Sequence, residues 1–155
     1  MTPLKALATA LAYVIVADDE VAAPEKAQML ATLGKHLHMN TMSELHLKEL
    51  TREAFKYARH HPFDHYLKEI QGLLSPGQET CIYLNLYDAM LVDGTVTSGE
   101  REILDRFRGF AGIDEDVDIA IRQVLMVKND TGMFLQENHP CNEPGYALRV
   151  ALTNE

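Results

Sequence analysis

Apolar residues recur along this chain with a period near 3.6, the spacing of one helix face. Leu4, Leu7, Ala8, Leu11, Val14 and Ile15 form a first stripe, behind Thr2 as N-cap and Pro3 at the first helical position. Pro24-Glu25 opens a second helix with Leu30, Leu33 and Leu37 on one face. Thr41-Met42-Ser43-Glu44 has capping-box spacing and opens a third, striped by Leu47, Leu50, Ala54, Tyr57 and Ala58. His61-Pro62 ends it, because a residue before proline avoids the α region. A fourth, shorter helix is predicted from about Phe63 to Leu74. Ser75-Pro76-Gly77-Gln78 combines a capping box with an N-terminal proline and opens a fifth. Its body, from Cys81 to Val92, is apolar almost all round, which predicts the central, most buried helix and a core position for Cys81. A sixth carries Ile103, Leu104, Phe107, Phe110 and Ala111 and stops at Gly112. Asp114 is the expected cap of a seventh, striped by Val117, Ala120, Ile121, Val124 and Leu125.

Strand signals are nearly absent, so the predicted fold is all-α, a compact bundle of about seven helices in a single domain over 1–155. After Lys128 the helical pattern fades. Residues 128–155 read as a loop-rich tail whose Tyr146-to-Leu152 stretch suits a last short helix or an extended end.

Two segments read alike at an offset of 75 residues, about 3–38 and 78–113. Asp18 matches Asp93, Val21 matches Val96, Glu25 matches Glu100, Lys26 matches Arg101 and Gly34 matches Gly109. The expectation is two related helix–turn–helix units about an approximate twofold, with Val21 and Val96 plugging each turn into the core. The N-terminal run from Met1 to Asp19 has some character of a secretory signal. Its counterpart deep in the chain instead favours an integral buried helix.

Each turn holds an acidic pair, Asp18/Glu25 and Asp93/Glu100. Structure alone accounts for each residue singly. Glu100, three after Thr97, completes a capping box. Glu25 suits a helix N-terminus, and Asp18 and Asp93 can shape turns. Yet both aspartates end helices, where the dipole disfavours negative charge, and a bound cation removes that conflict. Carboxylates with turn carbonyls suit Ca²⁺, Mg²⁺ or Mn²⁺, with Zn²⁺ as a further candidate divalent ion.

The repeated pattern resembles the TerB-like family of tellurite-resistance proteins, a module also found in the N-terminal region of DjlA-type co-chaperones. VDGTVTSGEREIL carries the pattern well, whereas ADDEVAAPEKAQML lacks the turn glycine. The resemblance spans residues of roughly 5–127 and leaves the tail uncovered. It implies an all-helical, cytoplasmic, non-enzymatic protein tied to tellurite and other stress responses, binding metal through acidic residues. Here those residues are Asp18, Glu25, Asp93 and Glu100, with Asp19 and Glu20 as secondary candidates.

Composition adjusts this picture. With 14 Lys+Arg against 23 Asp+Glu, the net charge of −9 disfavours nucleic acid or an anionic membrane as partner and fits cations or basic protein patches. No uninterrupted apolar run is long enough for a transmembrane helix. Two scattered cysteines, Cys81 and Cys141, make no disulfide framework and point to a reducing compartment. The histidines (His36, His38, His46, His60, His61, His65) read as solvated, and Pro62 separates His61 from His65. His139-Pro140-Cys141 is a soft-ligand fragment without a CxxC or HxxxH partner, which argues against Zn²⁺ there. Arg52, Lys56 and Arg59 give a modest basic edge suited to an acidic partner. The expected function is a metal-binding scaffold or sensor that also contacts other proteins. The alternatives are a metal-independent interaction module and, more remotely, a helical hydrolase with a carboxylate-bound metal, for which no base stands at a convincing spacing.

Overall fold

The computed structural model describes residues 1–17, 23–38, 42–92 and 96–150, and for 23–25 and 37–38 the backbone alone. Seven α-helices run through these residues: α1 (Pro3–Val16), α2 (Ala23–His38), α3 (Glu44–His60), α4 (Phe63–Ile70), α5 (Pro76–Met90), α6 (Ser98–Ala111) and α7 (Glu115–Asn129). Two short 3-10 turns follow, Gly132–Phe134 and Pro140–Asn142, and no strand occurs among the described residues. The all-α class predicted from the periodicity is therefore the class the chain adopts.

Local chemistry explains most helix ends. The Thr2 side chain accepts from the Lys5 N–H, and Pro3 supplies a preset φ at the first turn of α1. Ser75 and Gln78 form both halves of a capping box at α5. Gly112 ends α6 in the left-handed region, at φ 63° and ψ 34°. Three expectations need correction. The N-cap of α3 is Ser43, whose Oγ accepts the His46 N–H at 3.2 Å, so Glu44 is the first helical residue and not the far half of a box. α4 ends at Ile70, short of Leu74, because the chain turns through Gly72 at φ 74°. Asp114 occupies the N-cap position of α7 but its side chain makes no capping bond.

The chain divides into two compact units, Met1–Gly112 and Ile113–Glu155. In the first, α1 is the centre. Ala6, Ala8 and every residue from Thr9 to Ile15 are buried, and α1 packs on α2, α3, α5 and α6. The expectation that α5 would hold this place is not met. Alanines at 6, 8, 10 and 12 let neighbours approach α1 closely from several sides. α5 instead turns Cys81 and Leu84 outward on the face that carries Asn85 and Asp88. Cys81 is thus exposed, not core, because it shares a helix face with polar residues. On α2 the buried residues are Met29 and Leu33, and Leu30 stays outside.

Besides the sequential pairs α1–α2 and α5–α6, α1 meets α5, and the cross pairs α1–α6 and α2–α5 both occur. Exchanging α1 with α5 and α2 with α6 leaves this set of pairs unchanged. A tyrosine cluster ties α3 and α4 to α1. Tyr66 is fully buried and donates to the Ala6 carbonyl at 2.8 Å, and Tyr13 donates to the His61 carbonyl at 2.7 Å. Tyr13 also packs edge-on against Phe63 at 5.1 Å between ring centres.

In the second unit α7 is followed by the two 3-10 turns, and residues 146–150 have no regular structure. Ala120 and Leu125 are buried, whereas Val124 and Met126 are exposed. No helix among the described residues is long and apolar enough to cross a membrane.

Candidate functional site

Of the four matched carboxylates, Glu100 is the one whose side chain is described. Asp18 and Asp93, with Asp19, Glu20 and Val21, lie outside the described residues, as does the side chain of Glu25 in the first turn of α2. Glu100 sits at the third position of α6. Its Oε2 accepts the Thr97 N–H at 2.7 Å, and Thr97 Oγ1 accepts the Glu100 N–H at 3.3 Å. The capping role read from the Thr97/Glu100 spacing is present in full. Glu100 is also completely buried, at 0% exposure, a rare state for a carboxylate. Val96, expected to plug the turn, keeps 37% of its surface exposed.

The start of α6 lies against the end of α1. A Cβ on Gly99 would stand 3.0 Å from the Ala17 carbonyl oxygen and 3.5 Å from its Cβ. A side chain there would force the two backbones a few tenths of an ångström apart. Gly99 immediately precedes Glu100, and Ala17 immediately precedes Asp18 in the sequence. The contact thus joins the end of α1 to the start of α6, not the two arms of one turn.

The histidines of α3 and α4 do not assemble with thiols or carboxylates into a ligand set among the described residues. Pro62 does break the helix, yet the His61 and His65 rings stack at 4.9 Å, with Tyr57 beside them. His60 Nδ1 lies 2.7 Å from the Lys56 carbonyl, and all three histidines face solvent. The basic edge of α3 forms a shallow cleft of about 320 Å³, lined by Lys26, Arg52, Phe55, Lys56, Arg59 and His60. The Arg59 guanidinium lies 5.7 Å from the Phe55 ring centre, which orients it there.

The second unit gives the soft-ligand fragment His139-Pro140-Cys141 a partner that sequence spacing missed. Asp130, His139 and Cys141 bring one ligand atom each within 4.8 Å of one another. His139 Nε2 lies 2.9 Å from Asp130 Oδ2, and His139 Nδ1 accepts the Cys141 N–H at 3.1 Å. That second bond puts the imidazole proton on Nε2, facing the carboxylate. Asp130 Oδ1 accepts the Gly132 N–H at 2.8 Å. Asp130 stands nine residues before His139, so no fixed motif links them. The only local hint is an Asx-type turn signal, Asp130-Thr131-Gly132.

Compared with protein-family models, curated proteins and solved structures, the chain matches none.

Proposed function

We propose that this chain is a TerB-like, non-enzymatic stress-response protein of the cytoplasm. It binds a divalent cation through Asp18, Glu25, Asp93 and Glu100 and acts as a scaffold or sensor. The observation that carries this reading is the contact of Gly99 with the Ala17 carbonyl. It supports a shared acidic locus, with Glu100 of one repeat beside the helix end that leads into Asp18 of the other. Calorimetry and thermal melts with Ca²⁺, Mg²⁺, Mn²⁺ and Zn²⁺ test the reading. A ligand at a hundred times its Kd stabilises the fold by about 2.7 kcal/mol. Glu100→Gln retains a capping-box residue but removes the charge, and Asp93→Asn does the same at the turn. Both variants are expected to fold and to lose the cation response. A wild-type melt indifferent to all four ions ends the proposal.

The basic cleft on α3 favours a second reading, metal-independent docking of an acidic segment of another protein. On a chain of net charge −9, four Lys/Arg side chains and a histidine around one cleft are a local reversal of sign. An acidic peptide should then bind with strong salt dependence, and Arg52→Glu with Lys56→Glu should abolish binding. Binding that requires a divalent ion counts against this reading.

A further inference from the structure

The loop after α7 carries chemistry distinct from the acidic turns. Its three converging groups offer one nitrogen, one oxygen and one sulfur. That donor set suits Zn²⁺ and its borderline-soft relatives, not Ca²⁺ or Mg²⁺. Tetrahedral Zn²⁺ with bonds of about 2.0 Å to N and O places those two atoms about 3.3 Å apart. The His139 Nε2 to Asp130 Oδ2 separation of 2.9 Å is already near that value. The Cys141 thiol lies within 4.8 Å of a ring nitrogen of His139 and a carboxylate oxygen of Asp130, so a shift on the order of 1 Å closes the set to the spacing that a Zn–S bond of about 2.3 Å requires.

The loop is built to hold these groups. Asn142 Nδ2 donates to the carbonyls of Met133 and Gln136, at 2.7 and 3.0 Å, pinning one end of the loop to the other. A Cβ on Gly132 would meet Asp130 Oδ1 at 3.1 Å and His139 Cδ2 at 3.5 Å, so the absence of a side chain lets carboxylate and imidazole converge. The pair is mostly sheltered, the side chains of His139 and Asp130 being 15% and 30% exposed. Cys141 also lines a cleft of about 430 Å³ with Gln123, Met126, Tyr146 and Arg149.

We propose that Asp130, His139 and Cys141 bind a Zn²⁺-class ion, with the fourth coordination position left to water or a small anion from the adjoining cleft. The proton balance is simple. The thiol loses its proton to solvent, and the imidazole proton moves from Nε2 to Nδ1. The Cys141 N–H···Nδ1 bond is given up, and the Asn142 bonds keep the loop closed. One proton is released per ion bound to the thiol form.

Co²⁺ titration of the full chain in a Cys81→Ser background reads this site directly, because Cys141 is then the sole thiol. One equivalent should produce a thiolate-to-cobalt charge-transfer band that Zn²⁺ abolishes and a large excess of Mg²⁺ or Ca²⁺ leaves intact. Cys141→Ser should remove the band. Asp130→Asn, whose Oδ1 can still accept the Gly132 N–H, should weaken cobalt binding by about tenfold or more, as should His139→Ala. Far-UV circular dichroism of each variant verifies that the helical fold persists. Three results would overturn the proposal: no thiolate band in the Cys81→Ser protein, displacement by Mg²⁺, or wild-type affinity in helical Asp130→Asn and His139→Ala variants. The acidic-turn reading stands or falls separately, since carboxylates give no such band.

Discussion

The Tyr66 hydroxyl is a single group on which the N-terminal unit depends. It is buried with its ring and donates to the Ala6 carbonyl, near the start of α1. Tyr66→Phe should cost about 1 kcal/mol in urea unfolding, the net value of one such bond, and Tyr66→Ala about 3–5 kcal/mol. The same burial controls behaviour in alkali. Tyr13 is pushed up to about 12, first by loss of solvation and then by the nearby Glu69 charge. Tyr66 is pushed up as well, chiefly by burial. In the unfolded chain these phenols ionise near pH 10. The folded state holds its protons longer, so deprotonation favours unfolding. Stability from this source is complete below about pH 10 and lost as pH climbs from about 10 through 12. Urea melts at about pH 8, 10 and 11 should show that fall, and Tyr13→Phe should make it shallower. An unchanged slope in Tyr13→Phe would remove that residue from the account.

At the scale of elements, the contact between α6 and α1 makes opposite predictions for two glycines of one helix. Gly99→Ala drives a methyl to 3.0 Å from a backbone carbonyl, which cannot rotate away. Such overpacking costs about 1–3 kcal/mol, offset by ~1 kcal/mol of helix preference, for a net loss of about 0–2 kcal/mol. Gly109 is exposed and meets nothing within 4 Å, so Gly109→Ala should stabilise by about 0.5–1 kcal/mol. Paired thermal melts check both signs. A stabilising Gly99→Ala would mean a looser contact and would weaken the case for a shared acidic locus. The same helices illustrate what a sequence discloses. The Thr97/Glu100 and Ser75/Gln78 boxes and the Gly112 stop were legible because each is settled within four residues of chain. The central role of α1 was passed over although its sequence is the more apolar, because that role depends on alanines admitting neighbours from distant segments, while the Cys81–Val92 run given that place turns one side to water. Asp130 was missed for a related reason. Its meeting with His139 depends on how an entire loop closes, and on Gly132 leaving room, not on ligand spacing.

For the whole molecule, charge and core are distributed unequally. Of the 23 acidic and 14 basic residues, eight and three fall after Gly112, so the C-terminal unit carries −5 of the −9. Part of that charge is Glu115, Asp116 and Asp118 in the first turn of α7, where the helix dipole favours it. Of the buried apolar residues among those described, only Ala120 and Leu125 come from this unit. A piece of 43 residues lies near the ~40-residue size at which chains need a metal, disulfide or partner to fold alone. The two proposed sites therefore belong to units of different self-sufficiency, and a cut between them separates their properties. A chain ending at Gly112 should keep a cooperative helical melt and the Ca²⁺, Mg²⁺ or Mn²⁺ response of the acidic turns. It should lose the cobalt–thiolate band, Cys81 having been replaced by serine. Residues 113–155 alone should be largely unstructured by circular dichroism and gain helix on adding Zn²⁺, because ion binding adds free energy to a core of two residues. If the fragment stays unstructured at saturating Zn²⁺, the ion does not contribute to the folding of the unit. If the N-terminal chain fails to melt cooperatively, α1–α6 are not an independent folding unit.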